Sequence, residues 1–372
     1  MPEIIVIFLH DIVTIKKHEI ETNSEKMKII IAGGLNEGRY QPYAENLLAR
    51  LINRANRFID ADMLVIEGPA PFDNLLKSAR CQVKINPASK ISDEIGPLCG
   101  EAMQYQIFDT EKKRRTIESL KLPPLTAFSD FHIHTPLAYC NENVNFKSVK
   151  VLAAAFGLAK IGYSEHSGHL YFPQTDYWGT NEWHTAGMKA SDRFDRTKDY
   201  FDMVKPWHND KCRLGMEIDV SETGEILAAA EVLSQLDYKI GAVHRVKEVT
   251  DGSSDAEICR SLLRQSEALL KSGIDILAHP LREIIWYNHP MPNGLPEAMA
   301  RMIKDYGCVA ELNFHHNTPN DRFVLACLEA GVKFSFGGDV HNLYELGEFY
   351  PQIQMLKRLS PEIKINEVLA NL

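Results

Sequence analysis

The chain has no C-x-x-C pair. Its seven cysteines, at 81, 99, 140, 212, 259, 308 and 327, are odd in number and scattered over 372 residues. A disulfide framework is expected of an even set in a short secreted chain, so this pattern predicts a reduced, cytoplasmic protein. No apolar run approaches the roughly 20 residues that a bilayer span needs. Ile4 to Leu9 is too short, and Glu3 stands where a secretory signal would carry basic residues; no membrane partner is expected. An excess of positive charge is also missing. The formal net charge of -9 argues against broad non-specific nucleic-acid binding. It leaves a phosphorylated substrate open, because bound divalent cations reverse the local field. Internal repeats, low-complexity tracts and a recognisable nucleophile elbow are absent. Gly33 to Gly38 has P-loop-like glycine spacing, but Arg39-Tyr40 stands where Lys-Ser/Thr should be. It reads as an ordinary strand-to-helix turn.

The length suggests one large domain plus a smaller one. Residues 1–26 read as a candidate disordered extension, and Met27, just before a better strand, as an alternative start. Residues 27–122 read as a small α/β domain of unknown role. Strands are expected at Lys28–Ala32, Met63–Ile66 and Cys81–Ile85, and helical spacing at Tyr43–Phe58 and Phe72–Ala79. Leu122-Pro123-Pro124 marks a boundary. From there to residue 372, apolar strand-like runs alternate with amphipathic helices. The runs are Phe128–Ile133, Ala159–Ser164, Leu214–Val220, Tyr238–Val243, Ile274–Ala278, Val309–Asn313 and Lys333–Gly337. Helices are expected at Phe146–Leu158, Glu225–Gln235, Ala256–Ser272, Pro296–Tyr306 and Asp321–Ala330. About seven β/α units imply a TIM-like barrel of parallel strands rather than an open sheet. The long aromatic and charged stretch from Leu170 to Lys205 reads as a loop over the barrel mouth, with a helix near Phe194–Val204.

In a β/α barrel, function sits at the C-terminal strand ends, and those ends carry the chemistry here. Asp130-Phe131-His132-Ile133-His134 puts two imidazoles on one face of a strand, because residues i and i+2 share a face. Later runs end at Glu165 and His166, Glu217 and Asp219, His244 with Arg245, and His279 with Arg282. The last two end at Glu311, Asn313, His315 and His316, and at Asp339 and His341. A hydrophobic core does not demand imidazole and carboxylate at every strand end; a rim that binds several divalent cations does. His169, His184, His208 and His289 read as surface or packing residues.

These motifs resemble the ordered motifs of the PHP (polymerase and histidinol phosphatase) family over residues 128–345. They are Asp130-Phe131-His132-Ile133-His134-Thr135, Ser164-Glu165-His166, Met216-Glu217, Ala242-Val243-His244, Ala278-His279-Pro280 and Gly338-Asp339-Val340-His341. The resemblance implies a distorted seven-stranded (β/α)7 barrel with two or three divalent metal ions (zinc, manganese or iron). It implies one ion on His132, His134, Glu217 and Asp339, and a second sharing Glu217 and adding His244 and His279. A third would use His166, His341 and the residue six past the second histidine. That residue is often His in the family; here it is Cys140, whose thiolate would bind zinc and soften the preference. The implied activity is a phosphatase or phosphoesterase reaction through a metal-bridging hydroxide. Glu217 and Asp339 would organise the catalytic centre. Arg245, Arg282 and His315 are candidates for contacting a small phosphorylated substrate, since guanidinium matches phosphate bidentately. Histidinol phosphate is one candidate substrate. Three other functions stay open: a nuclease or phosphodiesterase on nucleic-acid ends, an eight-stranded amidohydrolase-type hydrolase, and a non-catalytic PHP scaffold.

Overall fold

A computed structural model describes residues 3–8, 28–33, 63–67, 76–77, 79–80, 82–86, 128–141, 144–156, 158–191, 194–287, 289–315, 318–341, 345–347 and 349–372. The chain divides into two compact units, Met1–Lys121 and Leu122–Leu372.

The first unit holds strands β1 (Glu3–Phe8), β2 (Lys28–Gly33), β3 (Met63–Glu67) and β4 (Gln82–Asn86), in spatial order β1-β2-β3-β4. All three pairings are parallel. Residues 3–8, expected to fall in a disordered extension, instead pair with β2 from Glu3↔Lys28 to Phe8↔Gly33. The reason is local: Ile4, Ile5, Val6 and Ile7 form a β-branched run suited to a parallel strand. The helices expected at Tyr43–Phe58 and Phe72–Ala79 lie wholly or mostly outside the described residues.

The second unit is a nearly closed parallel barrel. Its strands are β5 (Ser129–Ile133), β6 (Lys160–His166), β7 (Cys212–Ile218), β8 (Ile240–Gly241), β9 (Ile276–Leu277), β10 (Val309–Asn313) and β11 (Phe334–Gly337). They lie in sequence order around the sheet, every pairing parallel. The ring meets itself at the end of β5 and just past β11, where Ile133 bridges Val340. There His134 N donates to Val340 O at 3.1 Å, and Val340 N to His132 O at 2.9 Å. The seam therefore runs through the residues expected to bind metal. Asp130 braces it, accepting from Gly338 N and Gly347 N, each at 3.0 Å.

Helices connect the strands, as parallel pairing requires. Asp255–Lys271 starts at Ser254, whose capping box with Glu257 ties up the first free N–H groups. Asp321–Ala330 is capped by Asn320 and ends at Gly331 in the left-handed region. The helix expected at Glu225–Gln235 shrinks to Ala230–Leu233. Its first part is captured by β7's exit, where Ile226 bridges Val220 and Leu227 N donates to Asp219 O at 3.0 Å. Inside the barrel, Tyr238 lies so close over Gly215 that a Cβ there would sit 2.2 Å from its Cζ. Its hydroxyl donates to Phe131 O at 2.6 Å. The 170–205 stretch folds into short turns: Ser167–Tyr171, a π turn at Asp176–Thr180, Glu182–Ala186, Gly187–Ser191 and Thr197–Val204. The π turn is tied to the rim by Tyr177 Oη donating to Asp219 Oδ1 at 2.9 Å. Among the described residues, no helix is long and apolar enough to cross a membrane.

Candidate metal centre

Every strand of the barrel delivers a histidine or a carboxylate to one rim, and Glu217 stands at the centre. Its Oε1 lies 3.3 Å from His132 Nε2, 3.2 Å from His244 Nε2 and 3.0 Å from His279 Nε2. Its Oε2 lies 2.7 Å from His166 Nδ1 and 3.7 Å from His134 Nε2. Asp339 Oδ1 completes the group, 3.1 Å from His134 Nε2 and 3.6 Å from His132 Nε2. His132, His134, His166, Glu217, His279, Asp339 and His341 are all buried. A tetrahedral ion with bonds near 2.0–2.1 Å separates its ligand atoms by roughly 3.3 Å, so these spacings suit a cation among the donors.

The outer side of each ring decides which nitrogen faces inward. His132 Nδ1 is 2.7 Å from Glu311 Oε1, and His244 Nδ1 is 2.6 Å from Asp219 Oδ1. A carboxylate only accepts, so Nδ1 carries a proton, and in the neutral ring Nε2 presents a lone pair. Both Nε2 atoms are buried and find no hydrogen-bond partner among the described residues, despite their approach to Glu217. With the rings neutral, acceptor faces acceptor, an arrangement that costs energy in a dry site unless a proton or a metal cation lies between. His341 follows a related pattern, Nδ1 donating to Asp339 O at 2.9 Å.

Backbone conformation at the rim is unusual where it matters. His279 and Asp339 have φ of +30° and +50°, the left-handed side that non-glycine residues rarely occupy. Gly337, just before the Asp339 turn, leaves the space that Glu311 fills: a Cβ would sit 1.9 Å from Glu311 Oε1.

Electrostatics follow the same geometry. Burial opposes ionisation of Glu217, but the imidazoles of His132, His166 and His244 outweigh it and hold Glu217 well below the usual carboxylate range. Asp339 behaves alike, through His132 and Arg282. Burial works against a charge on His134 too, yet hydrogen bonds to Asp339 and Glu165 lift it to about 9. His279 goes the other way, to about 4, through burial and the neighbouring Arg282. Burial and adjacent imidazoles also depress His166, His169 and His341. Neutral imidazole is the form that binds metal.

The remaining candidates fall as follows. Cys140 Sγ is 3.6 Å from His166 Nε2. The donor atoms of His134, His166 and His341 lie within 4.8 Å of one another, as do those of His315, Asp339 and His341. His315 is buried with Nδ1 2.7 Å from Glu345 Oε1, so it stands beside the cluster rather than at an open mouth. Arg282, expected to clamp substrate, is buried and donates to Asp339 Oδ2 at 2.6 Å. Arg245 stays part-exposed at the rim. His316 lies outside the described residues.

Sequence reasoning missed His169 and Glu345. His169 is buried in Ser167–Tyr171, and its donor atom lies within 4.8 Å of those of Cys140 and His166. Its spacing, three past His166 and four past Glu165, was the available signal. No protein-family model matches this chain, and no curated protein sequence matches it.

Proposed function

We propose that the chain is a metal-dependent phosphoesterase of the PHP kind that hydrolyses a small-molecule phosphate monoester. One observation carries the reading: the buried Nε2 atoms of His132 and His244, each backed at Nδ1 by a carboxylate, converge on the buried Glu217 carboxylate. His132, His134 and Asp339 would hold one ion and His244 and His279 a second, with Glu217 shared between them. Such ions lower the pKa of coordinated water toward neutrality and offset the charge that builds on a phosphoryl group under in-line attack. The chain's own part is to fix the donors. Glu311 and Asp219 set the tautomers of His132 and His244, while Arg282 holds Asp339 at its second oxygen. Arg245, part-exposed at the rim, would meet a non-bridging phosphate oxygen. Seven ring strands among the described residues favour this reading over the eight-stranded amidohydrolase type.

The test is a screen of the manganese- and zinc-loaded protein against phosphate monoesters, a phosphodiester and single-stranded DNA, with bound metal measured alongside. Release of phosphate from monoesters, abolished in Glu217→Gln, is expected. Turnover of the diester or DNA alone would redirect the reading to nucleic-acid ends. No turnover of any substrate by metal-loaded protein would refute it.

A further inference from the structure

Beyond β8 the chain loses its strand partner where the candidate site needs it fixed. Ala242 N donates to Ile218 O at 2.9 Å, the last main-chain bond between this exit and β7 among the described residues. His244 and Arg245 follow, and side chains from other elements take over. His244 Nδ1 meets Asp219 Oδ1 at 2.6 Å, and Val246 N bonds the Glu283 carboxyl. Between them, Arg245 O lies 3.0 Å from His184 Nε2. A carbonyl only accepts, so His184 donates.

From this geometry we infer that His184 is a positioning residue for Arg245, which makes the short helix Glu182–Ala186 part of a phosphate subsite. The inference rests on the proposed function, in which Arg245 meets a non-bridging phosphate oxygen. It names a residue far from any strand end. Ordering an arginine around phosphate costs rotamer freedom, and a main chain already fixed leaves only the side chain to be ordered. The ring suits the task. His184 is buried, and burial holds it below the ordinary histidine range against the pull of Glu222, with Arg245 adding to the effect. A neutral imidazole keeps its Nε2 donor without setting a second cation beside the guanidinium.

His184 is itself held from both sides. Its main-chain oxygen accepts from Glu222 N at 2.7 Å, just past β7. Trp183 stacks on Tyr177 with centroids 5.0 Å apart and donates Nε1 to Tyr177 O at 3.0 Å. Tyr177 Oη in turn donates to Asp219 Oδ1 at 2.9 Å, the oxygen that also meets His244. Asp219 therefore orients His244 and anchors the segment that holds the next residue.

Titration calorimetry of the zinc-loaded full chain with inorganic phosphate tests this without turnover. His184→Leu and His184→Phe both delete the donor while keeping an apolar side chain in the site. Phosphate affinity should fall roughly two- to tenfold in each, the worth of one hydrogen bond. His184→Gln, whose amide still donates, should regain most of that loss. Zinc affinity should stay at the wild-type level in all three, because Asp219 holds His244 separately. In an Arg245→Ala background, His184→Leu should cost nothing further. Wild-type phosphate affinity in a natively folded Leu or Phe variant overturns the inference. So do losses that add to that of Arg245→Ala, or zinc and phosphate binding that fall together. Weakened phosphate binding in Arg245→Ala alone would remove His184 and keep Arg245. A zinc-loaded wild type that binds no phosphate removes the subsite and leaves the phosphoesterase reading to the hydrolysis screen.

Discussion

Glu311 touches no candidate ion position, yet its substitution should be felt there. Its two oxygens serve three donors: His132 Nδ1 at 2.7 Å on Oε1, and His279 N and Asn313 Nδ2, each at 3.0 Å, on Oε2. In Glu311→Gln one oxygen becomes an NH2 group, and that group must face a donor whichever way the amide turns. Facing His132, it forces the ring to the other tautomer and puts a proton on the Nε2 that should bind metal. Facing His279 and Asn313, it breaks the contacts that fix the strained His279 turn. Loss of such an outer partner typically lowers metal affinity 10–100-fold, about 1.4–2.7 kcal/mol. Competition with a chromophoric zinc chelator measures it, and unfolding of the metal-stripped protein separates the roughly 1–3 kcal/mol expected for an unmatched buried group. Affinity within twofold of wild type in a native fold would refute the assignment of Glu311 as the residue that orients His132.

Three other perturbations separate charge, space and pairing. Glu283 is buried, which raises its pKa from 4.5 to about 7. A carboxyl raised on folding contributes stability that is full below pH 4.5 and lost as pH climbs through 7, on the order of 3 kcal/mol. Urea unfolding of metal-stripped Glu283→Gln should therefore show a gain over wild type at pH 8 that vanishes at pH 4.5; equal differences at both would contradict it. Gly337→Ala should displace Glu311 and reproduce its loss of metal affinity, with about 1–3 kcal/mol of destabilisation from overpacking; wild-type chelator competition would argue against the close fit. Arg282→Met breaks a buried pair and leaves Asp339 without its guanidinium, costing about 3–5 kcal/mol in the stripped protein. Bound metal should recover part of that loss in a thermal melt; identical costs with and without metal would mean Asp339 is not a ligand.

Much of the barrel was legible because its signals are local. Apolar runs, Ser254 with Glu257, and Asn320 with Gly331 each announce an element from neighbouring residues. The strand-end donors were legible for the same reason, since each closes an apolar run. What stayed hidden depends on distant partners. Arg282 reads in the sequence as a cation for substrate, because Asp339 is 57 residues away. His315 looked available until Glu345, 30 residues on, took its Nδ1. The Glu225–Gln235 helix failed because a bridge between Val220 and Ile226 outweighs helical spacing. Strands β8 and β9 pair over only two residues each, although their apolar runs are longer. The chain leaves the sheet there to present His244 and His279, and apolar periodicity cannot register that turn.

Charge balance explains why this rim could hold metal ions. Glu165, Glu217, Asp219, Glu311 and Asp339 are buried, and neighbouring imidazoles hold each below its usual pKa against the opposing effect of burial. Arg282 is the sole buried lysine or arginine among the described residues. Five carboxylates against one guanidinium leave four negative charges in a dry site, a load that folding cannot carry uncompensated. Protonated histidines can carry it when metal is absent, which is why His132, His134 and His244 are pushed upward. Bound divalent ions would carry it with every imidazole neutral, the state in which such rings can be ligands. Asp130 and Glu283 mark the limit of this logic. They are buried in the same barrel, but with weaker help from imidazoles, and burial raises their pKa instead. The carboxylates that remain ionised are the ones that face histidine, so the negative charge is concentrated where the imidazoles converge.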